Sequence, residues 1–286
     1  MCMGIRRVLR KVKRMCEREV KKPVYIPVFE GSVLQGKTVL ITGGAGGIGY
    51  AIASRAVANG AEVVLTGRNK ESLIEACNTL RKESEVCSGV YYIVMDVRES
   101  NRLGKDILDA AELTSGKKID ILVNNAGISS GESIGSTLEE DYDETMETNL
   151  KGTYFMCQEF SQYLIKNNIK GNILNVSSTS GRRPAISPYM LSKWGIAGLT
   201  SGLAKKLIKH DIVVNGIAPG PTATGMLGKN SDDLSYVGSP AQRYLDATEV
   251  ANLAIFLMSD MGRMIVGETV YISGGCGTLT FDDIEY

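Results

Sequence analysis

From Lys37 almost to the end of the chain, short apolar runs alternate with longer segments whose apolar residues recur at helical spacing. The runs read as strands over Thr38–Thr42, Glu62–Thr66, Tyr91–Met95, Ile119–Val123, Asn172–Ser177, Ile212–Ile217 and Glu268–Ile272. Helical patterns fall between them at about 46–59, 69–82, 98–113, 138–168 (with an interruption), 187–209 and 247–259. Strands that are β-branched and continuously apolar belong in a parallel sheet, because helices on both sides are needed to cover both rows of side chains. The predicted fold is α/β: one doubly wound, seven-stranded parallel sheet flanked by helices.

The pattern also divides the chain. Residues 1–22 predict a basic amphipathic helix, with Ile5, Val8, Leu9, Val12, Cys16 and Val20 near helical spacing and basic residues between. Pro23 and Pro27 end it, so residues 1–35 read as an extension and linker, 36–278 as the α/β domain and 279–286 as an acidic tail. Residues 225–245 form the longest stretch without periodicity.

Charge sharpens this division. The net charge is zero, but residues 1–22 carry nine Lys/Arg against two Glu. Such a helix can lie on an anionic membrane surface, or pack against the acidic body or an oligomer partner. No run of 18 apolar residues and no signal peptide is visible, and the six cysteines form no CxxC pair. These features predict a cytoplasmic protein with reduced thiols, possible contact of residues 1–22 with the membrane inner face aside, and no metal and no nucleic-acid partner. The single histidine, His210, leaves no HExxH site, and no GxSxG elbow accompanies it.

Candidate chemistry begins where the first strand enters Gly43-Gly44-Ala45-Gly46-Gly47-Ile48-Gly49 and a helix follows. A tight turn there needs positive φ, and the helix N-terminus offers unpaired N–H groups and a positive dipole to phosphate. The run fits both GxGxxG and TGxxxGxG, the latter through Thr42, Gly43, Gly47 and Gly49. A bound dinucleotide is expected, with its adenosine ribose near the end of the second strand. Sites specific for NAD place Asp or Glu there. Here Gly67 takes that position and Arg68 follows, a cation able to pair with a 2′-phosphate, so NADP(H) is expected over NAD(H).

Three further motifs follow in order: Asn124-Asn125-Ala126-Gly127 after the fourth strand, the YxxxK segment Tyr189 to Lys193, and Pro219-Gly220 after the sixth strand. Together with TGxxxGxG they resemble the short-chain dehydrogenase/reductase family in its single-domain form, over roughly residues 36–278. The overall pattern looks most like beta-ketoacyl carrier-protein reductases. The resemblance implies a Rossmann fold and hydride exchange between a nicotinamide cofactor and a carbonyl or alcohol. The residues agree with it independently. Tyr189 and Lys193 are one helical turn apart, and a neighbouring ammonium lowers a phenol's pKa toward the range of a general acid/base.

The resemblance also implies roles residue by residue. Lys193 would hold the nicotinamide ribose. Ser178 would polarise the substrate oxygen, with Ser177 as the alternative. Asn149 would hold a proton-relay water. Asp96 and Val97 would contact adenine, Asn125 and Gly127 would lie along the adenosine ribose, and Ile48 belongs to the glycine turn. In the loop from Pro219 and Gly220, Thr222 would meet the nicotinamide carboxamide and Thr224 the pyrophosphate. Two departures stand out: Ser178 precedes Tyr189 by only 11 residues, and the N-terminal extension is extra. The family usually assembles as homodimers or homotetramers.

The substrate is a small carbonyl compound or alcohol whose identity stays open. Leu227, Leu234, Tyr236 and Tyr244 mix with Lys229, Asp232, Asp233 and Arg243 in the expected pocket rim. Arg182 and Arg183 read as a solvated loop or as partners of an acidic substrate. Two other functions share these motifs: a nucleotide-sugar epimerase or dehydratase, and a dinucleotide sensor without catalysis. The 93 residues after Lys193 leave little room for the larger substrate region of the former.

Overall fold

In the computed structural model, residues 32–83, 89–129, 133–229 and 233–279 are described; the basic segment 1–22 and the residues after Leu279 lie outside them. Seven strands among these form one sheet: β1 (Thr38–Thr42), β2 (Glu62–Gly67), β3 (Val90–Val94), β4 (Ile121–Asn124), β5 (Asn172–Val176), β6 (Val213–Pro219) and β7 (Thr269–Ile272). Their order is β3-β2-β1-β4-β5-β6-β7, with every pairing parallel. The order reverses between β1 and β4, opening a crevice at the carboxyl ends where such sheets bind ligands.

Strand alternation splits the core into two layers. Val39, Ile41, Val63, Leu65, Ile121 and Val123 face one side, where α1 (Gly47–Ala58), α2 (Lys70–Glu83) and α7 (Ala247–Met258) cover them. Leu40, Val64, Leu122, Ile173 and Val214 face the other, under α3 (Leu103–Glu112), α5 (Gly152–Lys166) and α6 (Pro188–Leu207). Burial on both faces is why the strands read as continuous apolar runs.

Two element starts shift from the predicted ones for local reasons, and one predicted interruption takes a definite form. The helix expected from 98 starts at Leu103, because the Arg98 N–H donates to Asp96 Oδ1 (3.0 Å) and spends that turn on a loop. The strand expected from Ile119 starts at Ile121, as the Asp120 carboxylate takes the Thr38 N–H at 2.9 Å. The interruption within 138–168 is a π-helical turn, Glu147–Lys151, between α4 (Glu139–Met146) and α5.

Buried polar groups stitch the centre of the sheet. Asn124 Nδ2 donates to Asn175 Oδ1 (2.9 Å) and lies 3.2 Å from Cys157 Sγ, while Asn175 Nδ2 donates to Thr200 Oγ1 at 2.9 Å. Burial pushes the Cys157 thiol up to about 12, so it is a neutral packing group. Cys77, Cys157 and Cys276 are free and buried.

Candidate active site

The crevice is a cavity of about 930 Å³ at the carboxyl edge of the sheet. One wall is the glycine turn. Gly46 caps α1 without any side-chain hydrogen bond, so the first N–H groups of the helix keep no side-chain acceptor there. A Cβ on Gly46 would meet nothing within 4 Å, and Gly47 (φ +54) has only Thr224 beyond it, at 3.5 Å. Open space in front of uncapped N–H groups suits a pyrophosphate. Gly49 instead makes close packing possible, since its Cβ would lie 2.5 Å from Asn125 Nδ2.

The turn is held from behind. Thr42 Oγ1 accepts from the N–H groups of Asn125 and Ala126, each at 3.0 Å, and Asn125 Nδ2 donates to the carbonyls of Thr42 and Gly43, each at 3.0 Å. The end of β4 therefore fixes the exit of β1.

The facing wall comes from β5 and α6. Ser187 N-caps α6, its Oγ accepting from the Met190 N–H (3.2 Å), and Pro188 opens the helix. This cap sets the start of the turn that carries Tyr189 and Lys193 on one face. Tyr189 is hydrogen-bonded to Ser178. Ser178 Oγ also accepts from the Ser180 N–H at 3.1 Å, which orients the hydroxyl from a short 3₁₀ turn. Ser177 points elsewhere: its Oγ donates to the Lys193 carbonyl at 2.9 Å and braces α6.

Lys193 is buried, with Nζ donating to the Val176 carbonyl (3.0 Å) and lying 5.5 Å from the Tyr189 ring centre. Burial lowers its ammonium to about 8. Burial also raises the Tyr189 phenol, and the hydrogen bond with Ser178 offsets this in part. The lysine exerts none of the downward pull expected on the phenol: with its ammonium lowered to about 8, it is neutral before the raised phenol ionises.

Asn149 sits in the π-helical turn. Its Oδ1 accepts from the Ile128 N–H (2.8 Å), and its Nδ2 donates to the Ile128 carbonyl (2.9 Å) and to Ser192 Oγ (3.2 Å). The side chain thus ties the loop after β4 to α6. At Gly127, a Cβ would stand 3.3 Å from Asn149 Oδ1 and 3.6 Å from Lys193 Nζ, so glycine brings these groups together.

Of the remaining expected residues, Gly43, Ile48, Asn125, Pro219, Gly220, Thr222 and Thr224 line the cavity. Thr42, Gly49, Asn149, Arg68, Asp96 and Val97 do not. The last three follow the carboxyl ends of β2 and β3. Arg68 lies 3.7 Å from Glu144, and Arg98 lies 3.6 Å from the same carboxylate. Arg98 also grips Asp96 at 2.7 Å and, through these hydrogen bonds, holds its carboxyl below the usual range. Sequence reading missed Arg98 and the bracing role of Ser177; a hydrogen-bonding residue beside a motif leaves no periodic signal.

A doubly wound parallel sheet with a glycine turn facing a Ser–Tyr–Lys wall defines a dinucleotide-binding oxidoreductase. Residues 37–235 match the family model for short chain dehydrogenases. The chain belongs to that family, and is an NAD(P)-dependent enzyme acting on CH–OH and carbonyl groups. It is 36% identical over 248 residues to a 3-oxoacyl-[acyl-carrier-protein] reductase of Thermotoga maritima, covering 85% of this chain and 98% of the relative. It is 33% identical over 249 residues to a gluconate 5-dehydrogenase of Gluconobacter oxydans, covering 85% and 95%. Among solved structures, a 3-oxoacyl-[acyl-carrier protein] reductase with bound NAD from Brucella melitensis superposes with a TM-score of 0.79 at 27% identity, covering 91% of this chain and 99% of that one.

Proposed function

We propose that this chain interconverts a small ketone and its secondary alcohol with NADP(H), using Ser178, Tyr189, Lys193 and Asn149. One observation carries this reading: the hydrogen-bonded pair Ser178–Tyr189 and the buried Lys193 line the same cavity as the uncapped glycine turn. Ser178 orients and polarises the substrate oxygen. Tyr189 gives that oxygen a proton in reduction and removes one in oxidation. Lys193 anchors the nicotinamide ribose, and Asn149 keeps the loop beside Gly127 in register with α6. The cofactor, when bound, supplies or takes the hydride.

Gly43, Gly47, Ile48 and Gly49 would form the pyrophosphate turn that Thr42 braces, with Thr224 across from it. Asn125 and Gly127 would follow the adenosine ribose, Asp96 and Val97 the adenine. Thr222, after Pro219 and Gly220, would meet the carboxamide. Preference for NADP(H) is supported by Arg68 at the end of β2 and by Gly67 where a carboxylate would repel a 2′-phosphate. Exposed apolar side chains on α4, α5 and α6 (Tyr142, Tyr154, Ile165, Leu191 and Trp194) support assembly as a homodimer or homotetramer.

The test is NADPH absorbance with acyl thioesters, quinones and keto-sugars, comparing wild type with Tyr189→Phe. Turnover should fall about 10²- to 10⁴-fold while NADPH binding is retained. Turnover surviving in the variant, or none with any ketone in the wild type, overturns the reading.

A further inference from the structure

The loop between Thr222 and α7 brings two aromatic rings to the cavity. Tyr236 and Tyr244 both line it, and their rings are stacked nearly parallel, 14° apart in plane with 4.4 Å between centres. Each tyrosine is only partly buried, so aromatic surface remains for a further group to cover.

The pair is held in place at its backbone. The Tyr244 N–H donates to the Leu234 carbonyl (2.7 Å), and the Tyr236 N–H to the Gln242 carbonyl (3.2 Å). The N–H of Leu245, the next residue, donates to the Pro221 carbonyl at 2.8 Å, and its carbonyl accepts from the Ala223 N–H at 2.9 Å, which ties Tyr244 to the loop that carries Thr222. From the other side Arg243 donates to the Tyr244 carbonyl (3.1 Å) and holds Glu249 of α7 through both guanidinium arms, at 2.6 and 2.7 Å. A glycine makes room for Tyr236: a Cβ at Gly238 would stand 2.8 Å from its Cζ and hydroxyl oxygen. The stack is therefore formed before a ligand arrives, and ordering it costs a ligand little.

The same loop adds aliphatic surface. Met226 and Leu227 line the cavity and are about half exposed, at 58% and 48%. Among the described lining residues none is a carboxylate; of the two cations, Lys193 donates to the Val176 carbonyl and Arg183 has partners of its own. What the loop offers a ligand is thus a flat aromatic surface with aliphatic side chains. Planar rings stack on such a surface, and each stacked pair adds about 0.5–1.5 kcal/mol beyond the area it buries.

Resting on the proposed carbonyl–alcohol chemistry, we infer that this pair sets substrate class: the enzyme takes ketones that carry a planar aromatic ring and binds that ring against Tyr236 and Tyr244. A saturated ring on the same carbon skeleton is at least as apolar but puckered, so it gains the burial without the stacking.

The experiment measures binding by calorimetry to enzyme saturated with oxidised cofactor, so that no turnover intervenes. The probes are acetophenone and cyclohexyl methyl ketone, with wild type, Tyr244→Leu, Tyr244→Phe and Gly238→Ala. Wild type should bind acetophenone the more tightly, by at least about twofold. Tyr244→Leu keeps the apolar bulk and loses the ring: acetophenone affinity should fall by about 3- to 10-fold, with the cyclohexyl ketone within about twofold. Tyr244→Phe should retain the wild-type preference. Gly238→Ala, whose added methyl collides with the Tyr236 ring, should also weaken acetophenone selectively, and it carries the test should Tyr244→Leu fail to fold. Equal binding of the two ketones by the wild type, binding of neither, or equal losses for both in a variant with an unchanged melting temperature overturns the inference. Failure of the carbonyl–alcohol reading shows separately: acetophenone would bind with the expected preference and not be reduced by NADPH.

Discussion

The two halves of the cavity are built by different means. The cofactor half is backbone: a glycine turn whose carbonyls are clamped by Asn125 and whose neighbouring N–H groups are gathered by Thr42. The other half is a long loop joined to itself at a few points. Between Thr222 and Leu245 the chain is tied by the isolated bridges Thr222↔Leu245 and Ser235↔Arg243, and Tyr236 stacks on Tyr244 at 4.4 Å between ring centres. Met226 and Leu227 stand exposed on its rim. A backbone-built half admits one geometry. A half built from such a loop can change ligand without disturbing the sheet.

Substitutions can break that contrast. The largest effect should come from Gly49→Val: its side chain would drive into Asn125, and NADPH affinity should fall more than about 100-fold by calorimetry. Leu227→Ala in the other half should leave that affinity within about threefold. A comparable loss there would erase the distinction.

Next, Ser178→Ala should cut kcat by about 10²-fold. Ser177→Ala should mainly loosen α6, costing about 1 kcal/mol in denaturant unfolding because only its bond to the Lys193 carbonyl is lost. Reversed outcomes would move the polarising role to Ser177.

Lys193→Met tests the energetic cost of the site. The folded lysine titrates near 8, below the 10.5 of the free side chain, so between these values the unfolded chain binds more protons and wild-type stability rises with pH. Below pH 8 the inactive variant should be the more stable by about 2–3 kcal/mol, less the hydrogen bond to Val176, a gap that closes toward pH 10.5. A stability difference independent of pH would show that the ammonium is solvated. The smallest effect belongs to Arg68→Ala, which should weaken NADPH about tenfold and leave NADH unchanged; equal losses for both would remove Arg68 from cofactor choice.

The contrast also explains what the sequence discloses. Parallel strands buried on both faces announce themselves as apolar runs, and a turn that only glycine can fill appears as clustered glycines, so the sheet and the pyrophosphate site are readable by eye. Tyr189 and Lys193 are readable because one helical turn separates them. Arg183, which lines the cavity, is not, since a cation in a short loop looks the same whether it faces water or a cavity. Asn149 is legible only through the family resemblance; its place in a widened turn, which aims its amide at Ile128, leaves no signal in the sequence.

That widened turn, Glu147–Lys151, sets a rule about chain length. Removing one residue from it would let α4 and α5 wind into a single regular rod, and every side chain upstream would swing by about 100° around the axis. Asn149 would then face away from Ile128, and Gly127 would lose the partner it was kept small to meet. A single deletion would detune the site from inside a helix that looks intact.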